Sequence, residues 1–196
     1  MPDQTPWLTA APLVTPRLHL EPLRVAHARE AAPVFNDVRL HTWIGGEPRS
    51  FEQLEAQYRR QSAGQSADGT QGWLNWLLRR ASDGQLVGTV QATLSRPADE
   101  RVDGRSPTDR RLVEAALAWV VGVDHQGNGY AREGALAMAH WLRAHEVDRL
   151  TAYIHPGNDA SVAVARTLGL APTDIVLDGE VRWSDSGPIR TGTGTR

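Results

Sequence analysis

Cysteine is absent from the 196 residues. That excludes a disulfide framework, a thiolate zinc site, an iron-sulfur cluster and a cysteine nucleophile, and with the last any covalent acyl-cysteine route. Lysine is absent too, all 21 basic side chains being arginines, so a catalytic lysine and a Walker A loop fall away. No run of about 18 apolar residues is present to span a bilayer. Met1–Pro12 lacks the basic, apolar and small-residue order of a secretory leader, and the cytoplasm is the expected location. A formal charge of -2 gives no broad attraction to nucleic acid or anionic lipid, so neither is expected as a partner. His145-Glu146 has no second His at helical spacing, no G-x-S-x-G elbow occurs, and Gly127-Asn128-Gly129 lacks the third Gly of a dinucleotide fingerprint. Zinc-protease, serine-hydrolase and NAD-binding readings therefore lose, and no metal is expected.

What is present fits one folded domain. Apolar residues make up 40% of the chain and charged residues 22%, a composition able to close a core without staples. We place the domain at 14–185, between a flexible N-terminal segment (1–13) and a flexible, glycine-rich tail (186–196). Arg17–Leu23 alternates as a strand does, and Val25–Asn36 has helical spacing. Ser50-Phe51-Glu52-Gln53 is a capping box that opens a helix running to about Gln61. Trp73–Arg80 and Gln85–Leu94 read as strands paired through the turn Ser82-Asp83-Gly84. The charged stretch 96–110 reads as a hairpin loop. Ala115–Val121 reads as a central strand, and Tyr130 to about His145 as a long helix with Ala131, Ala135, Met138 and Leu142 on one face. Arg149–His155 reads as a strand, followed by a helix burying Val162, Ala165 and Leu168. A closing hairpin, Thr173–Leu177 and Glu180–Ser184, turns at Asp178-Gly179.

The informative feature is a strand that enters a glycine turn and then a helix: Gln126-Gly127-Asn128-Gly129-Tyr130-Ala131. Such a junction leaves backbone N–H groups unpaired at the positive end of the helix dipole, and glycine lets a pyrophosphate approach them. This stretch resembles the G-x-G-Y-A sequence of GNAT acetyltransferases, especially the ribosomal-protein N-terminal acetyltransferases. Arg149–Ser161 followed by Thr167-Leu168-Gly169-Leu170 is similar to that subgroup's strand, N-x-x-S and L-G-F elements, and Leu86-Val87-Gly88-Thr89 resembles its third strand. The resemblance runs in order from Thr15 to Ser184.

It implies an α/β (α+β) GNAT fold: a mixed, strongly twisted sheet of about seven strands, split beside the fourth, with about four helices. It implies acetyl-CoA as cosubstrate and direct transfer of acetyl to a primary amine in a ternary complex. The pantetheine arm is then expected along Trp119, Val120 and Val121, with the pyrophosphate on amides from Gln126 through Gly127, Asn128, Gly129 and Tyr130 to Ala131. Asn158 is a further expected cofactor contact that also suits capping the next helix. For the general base the candidate is Glu114, at the start of the central strand; the subgroup's usual carboxylate falls closer to Ala116. For the acid that protonates the departing thiolate it is Ser161, since the tyrosine of many family members is replaced here by Ala165. Asp124 departs from the family's Gln or Arg.

Plainer roles stand beside these. Glu114 also reads as a solvated strand-edge carboxylate, and Ser161 as a helix-start hydroxyl bonding the backbone. Trp43, Trp73 and Trp76 suit either an acceptor pocket or the core. The loop 96–110 suits either a cover over the acceptor site or a solvated hairpin. The rival from another class is a non-catalytic acyl-CoA sensor or interaction domain. Within the enzyme reading, the acceptor is open between a protein or peptide N-terminus and a small-molecule amine. A homodimer is a common arrangement for similar proteins.

Overall fold

The computed structural model of the chain describes residues 6–97 and 112–185. The tail from 186 and most of the 96–110 loop lie outside the described residues. Among the described residues eight strands form one sheet: β1 (Leu13–Val14), β2 (Leu18–Pro22), β3 (Gly72–Arg80), β4 (Leu86–Ser95), β5 (Glu114–Val121), β6 (Arg149–Ile154), β7 (Ala171–Leu177) and β8 (Glu180–Ser184). The spatial order is β1-β2-β3-β4-β5-β6-β8-β7. Every pairing is antiparallel except β5 with β6.

The helices are α1 (Ala28–Phe35), α2 (His41–Ile44), α3 (Phe51–Gln61), α4 (Tyr130–Ala144) and α5 (Asp159–Thr167). The additions to the sequence expectation are the two-residue β1 and the single-turn α2, both too short to leave a period in the sequence. Residues from Pro6 onward, within the stretch read as loose, are anchored to the sheet. The Trp7 indole donates to the Gly69 carbonyl at 3.0 Å, and that of Trp76 to the Ala11 carbonyl at 2.7 Å.

Alternation along the central strands sends side chains into two cores. On one face Leu74, Trp76 and Leu78 of β3, Val90, Ala92 and Leu94 of β4, and Ala115 and Leu117 of β5 pack beneath Ala135, Met138, Ala139 and Leu142 of α4. On the other, Leu77 and Leu86 meet Ala28 and Ala31 of α1 and Leu54 and Tyr58 of α3. Helix α3 starts where its capping box says it should: the Ser50 hydroxyl accepts from the Gln53 N–H at 3.3 Å, and Gln53 Oε1 accepts from the Ser50 N–H at 2.8 Å. Gly88 is fixed by contact, since a Cβ there would stand 2.6 Å from the Val120 carbonyl oxygen of the neighbouring strand.

The parallel pair β5–β6 is short. Glu114, Ala115 and Ala116 pair with Arg149, Leu150 and Thr151. From Leu117 on, β5 has no partner on that side, whereas β6 continues along β8 to Ile154. A wedge therefore opens in the sheet directly beneath the start of α4.

Candidate active site

The strand–turn–helix junction is built as its glycines require. Gly127 has φ +75° and Gly129 φ +78°, and a Cβ added at Gly127 would meet nothing within 4 Å. The turn therefore faces open space with left-handed backbone, a conformation costing other residues roughly 1–2 kcal/mol. The Gln126 N–H is already used, donating to the Val123 carbonyl at 3.2 Å. Gly127, Asn128 and Gly129 donate no backbone hydrogen bond among the described residues, and Gly129, the N-cap of α4, brings no side-chain cap. With the N–H groups of the first α4 turn they form a concentrated donor surface at the helix's positive end. Asn128 serves from behind, its Nδ2 donating to the His125 and Gln126 carbonyls at 3.0 Å each.

A buttress holds this junction. Glu133, in the first turn of α4, accepts from the Thr15 hydroxyl at 2.6 Å, the Arg17 N–H at 2.9 Å and Arg17 Nε at 2.7 Å. Burial raises the Glu133 pKa, but these donors outweigh it and hold the carboxyl below its usual range. Arg17 also donates to the Asn128 carbonyl at 3.0 Å.

In front of the donor surface lies a cleft of about 570 Å³. Its walls include Trp119, Val120 and Val121, the turn residues Gln126, Gly127 and Gly129, Tyr130, Ala131, Asn158 and Ser161. Every expected cofactor-side residue except Asn128 thus meets in one cleft. Sequence reasoning missed its cations: Arg39, paired with Asp37 at 2.6 Å, and Arg132, which has no ion pair among the described residues. Arg132 follows the turn by one helical step, a position the sequence offered for reading. Asp124 is exposed and lies outside these walls, beside Glu30 and Asp37 on a neighbouring hollow.

A second cavity, about 400 Å³, opens on the other side of β5. It shares Trp43, Trp119, Val120, Asn158 and Ser161 with the first and adds Gln91, Ala116, Tyr153, His155 and Glu180. The two abut at these shared walls, beside the wedge. At their junction Ser161 is specifically arranged. Its N–H donates to Asn158 Oδ1 at 3.1 Å, so Asn158 caps α5, while its hydroxyl oxygen accepts from the Trp119 indole N–H at 3.2 Å. Accepting from the indole leaves the serine O–H free to donate elsewhere.

The remaining candidates separate. Glu114 lines neither cavity; its carboxylate takes Arg182 Nη2 at 2.8 Å, Arg149 Nη1 at 3.4 Å and the Thr151 hydroxyl at 3.4 Å. Ala116 lies on the second cavity, and Ala165 is fully buried in the core. Of the three tryptophans, Trp43 stands at the junction, Trp73 lies on another part of that sheet face beside Asn75 and Gln91, and Trp76 is buried at 0% exposure.

A donor surface at a helix start, next to a strand freed from its neighbour, is a fold-level signature that comparison can test. The family model described as Acetyltransferase (GNAT) domain matches residues 17–171. The chain belongs to the GNAT acetyltransferase family. Solved structures agree in fold. An acetyltransferase from Agrobacterium tumefaciens aligns at TM-score 0.64 with 22% identity, over 92% of this chain and 97% of that one. RimL, a ribosomal L7/L12 alpha-N-protein acetyltransferase in complex with coenzyme A, aligns at 0.63 with 16% identity, over 88% and 95%. Spermidine N-acetyltransferase from Vibrio cholerae, in complex with CoA and spermine, aligns at 0.62 with 16% identity, over 87% and 94%. No curated protein matches the chain. Among the described residues the GNAT fold has eight strands and five helices, close to the about seven and about four expected from sequence. Among the described residues no helix is long and apolar enough to cross a membrane.

Proposed function

We propose that this GNAT protein is an N-acetyltransferase that moves acetyl from acetyl-CoA to a primary amine in the cytoplasm, within the group similar to the ribosomal-protein N-terminal acetyltransferases. The observation that carries the reading is the run of uncommitted N–H groups from Gly127 into α4, opening onto a cleft that shares Trp43, Trp119, Val120, Asn158 and Ser161 with a second cavity.

The residues suit the cosubstrate. The N–H groups of 127–131 and the Arg132 guanidinium supply donors and positive charge for a pyrophosphate. The freed side of β5 at Trp119–Val121 offers backbone groups to an extended amide-bearing arm. Asn158, whose Oδ1 caps α5, keeps its amide N–H donors for the same arm. Acetyl-CoA supplies the activated acyl group as a thioester. Ser161 then stands where the two cavities meet, with its hydroxyl oriented by the Trp119 indole and its proton available to a leaving thiolate. Glu114 stays a candidate base acting through water from the head of β5, with its charge shared by Arg149 and Arg182.

Acetyl-CoA is expected to raise the melting temperature in a concentration-dependent way, and free thiol to appear when primary amines or N-terminal peptides are added. Absence of both effects refutes the reading; a melting shift with no thiol from any acceptor favours an acyl-CoA sensor. Replacing Ser161 by Ala is expected to lower kcat by about 10²-fold or more, with the melting shift retained. Glu114→Gln, assayed alongside, tests the base: a rate and pH profile equal to wild type removes Glu114 from the mechanism.

A further inference from the structure

Among the described walls of the cavity beyond β5, one carboxylate is present, that of Glu180. Its direction follows from register. β8 runs antiparallel to β6 with Tyr153 opposite Arg182 and Ile154 opposite Val181. Residues two apart on a strand share a face, so Glu180 projects on the same side as Arg182, whose guanidinium reaches Glu114. Tyr153 and Ala116, both walls of this cavity, stand on that side as well.

Glu114 and Glu180 are therefore two carboxylates on one sheet face in opposite electrostatic circumstances. Two guanidinium groups hold Glu114, at 2.8 Å and 3.4 Å, which leaves little negative charge there for an incoming cation. Glu180 is half-buried, and its carboxylate has no hydrogen bond or ion pair among the described residues. Among the described residues no arginine lines this cavity, and its other titratable walls are His155 and Tyr153. His155 Nδ1 accepts from the Gly157 N–H at 3.1 Å, and Tyr153 presents a phenol ring. Trp43, Trp119 and Tyr153 make the cavity aromatic. An unpaired carboxylate among aromatic walls favours an ammonium both by ion pairing and by the negative faces of the rings.

We propose that Glu180 binds the acceptor's ammonium group and selects cationic primary amines on uncharged stems over neutral or acidic molecules of the same shape. The proposal rests on reading this cavity as the acceptor side, and it assigns Glu180 a specificity role, separate from the proton transfers placed at Ser161 and Glu114.

The test compares n-pentylamine hydrochloride with its neutral counterpart 1-pentanol, titrated into the full chain at fixed salt and followed by tryptophan fluorescence, since Trp43 and Trp119 line the cavity. Wild type is expected to bind the amine about tenfold tighter than the alcohol, the size of one charge-assisted contact. Glu180→Gln, which keeps shape and removes charge, is expected to bring the two affinities together, and Glu180→Asp to keep part of the preference. Equal affinities in wild type, or an amine preference surviving Glu180→Gln, overturns the proposal. Thiol release is measured separately: selective amine binding without acetyl transfer refutes the enzymatic reading and leaves the Glu180 assignment standing.

Discussion

Gly127 and Gly88 show how single positions do different work without a side chain. At Gly127 the backbone is left-handed and the space ahead is empty, so a replacement is tolerated by the fold yet intrudes on whatever the N–H groups hold. Gly127→Glu is expected to abolish the melting shift given by acetyl-CoA, with far-UV circular dichroism unchanged and an intrinsic loss of about 1–2 kcal/mol from the strained φ. At Gly88 the obstruction is internal, with the Val120 carbonyl 2.6 Å from the added Cβ. Gly88→Ala is expected to destabilise the chain by about 1–3 kcal/mol in urea unfolding, as over-packing does, because β4 and β5 must part to admit the methyl. The turn glycines were legible in sequence because their role is local. Glu180 was not, since its significance depends on β8 lying beside β6, a long-range arrangement that no window around residue 180 encodes. Glu114 was legible as a carboxylate on the same strand face as Ala116; the two arginines that occupy it come from β6 and β8, and the sequence pattern offers no reason to bring them there.

Among the elements, α4 carries the site and depends on a neighbour distant in the chain. Its first turn is tied through Glu133 to Thr15 and Arg17 of the β1–β2 connection. Removing those bonds with Glu133→Ala is expected to cost about 1–3 kcal/mol in denaturant unfolding, and to weaken acetyl-CoA binding because Arg17 also steadies the Asn128 carbonyl. The same carboxyl makes the element acid-sensitive. Glu133, and Glu30 through its hydrogen bonds from Arg79, have folded pKa values below the ordinary glutamate value of 4.5. A depressed carboxyl adds stability above its unfolded pKa and loses it as pH falls through the folded value. Melting temperature is therefore expected to fall as pH drops below about 4.5, and the fall to be shallower in Glu133→Gln. Strands β3 to β6, α3, α4 and the closing hairpin follow the sequence pattern because amphipathic period, a capping box and an Asp-Gly turn are local codes. Helix α2 escaped that reading. It brings Trp43 to the junction of the two cavities and 5.3 Å from the His155 ring, so its place is set by packing against a distant loop.

At the scale of the molecule, the sheet has a well-tied part and a lightly tied one. β2 to β5 share long antiparallel ladders, whereas the ladder joining β6, β8 and β7 to the rest of the sheet is three residue pairs long, the remaining tie being the α4-side core to which Leu150, Ile154, Val164, Leu168 and Trp183 contribute. Amides in Leu74–Leu78 and Val87–Leu94 are expected to exchange hydrogen only on global unfolding. Those at Gly127, Asn128 and Gly129, which have no internal backbone acceptor among the described residues, are expected to exchange fastest in the site and to slow sharply with acetyl-CoA. Unchanged exchange there at saturating ligand contradicts the proposed seat. The family-level architecture was readable because the motifs occur in a fixed order; the second cavity, proposed as the acceptor side, was not, because it draws on β4, β5, β6, β8 and α2 together. The three-pair seam also has a mechanical meaning. A substrate lodged in the gap touches Val120 and Val121 on one bank and Asn158 and Ser161 on the other, so it adds a second tie beside a ladder only three pairs long. Occupancy of that gap should then be felt at the far rim, as tighter protection of the hairpin that ends at Asp178 and Gly179.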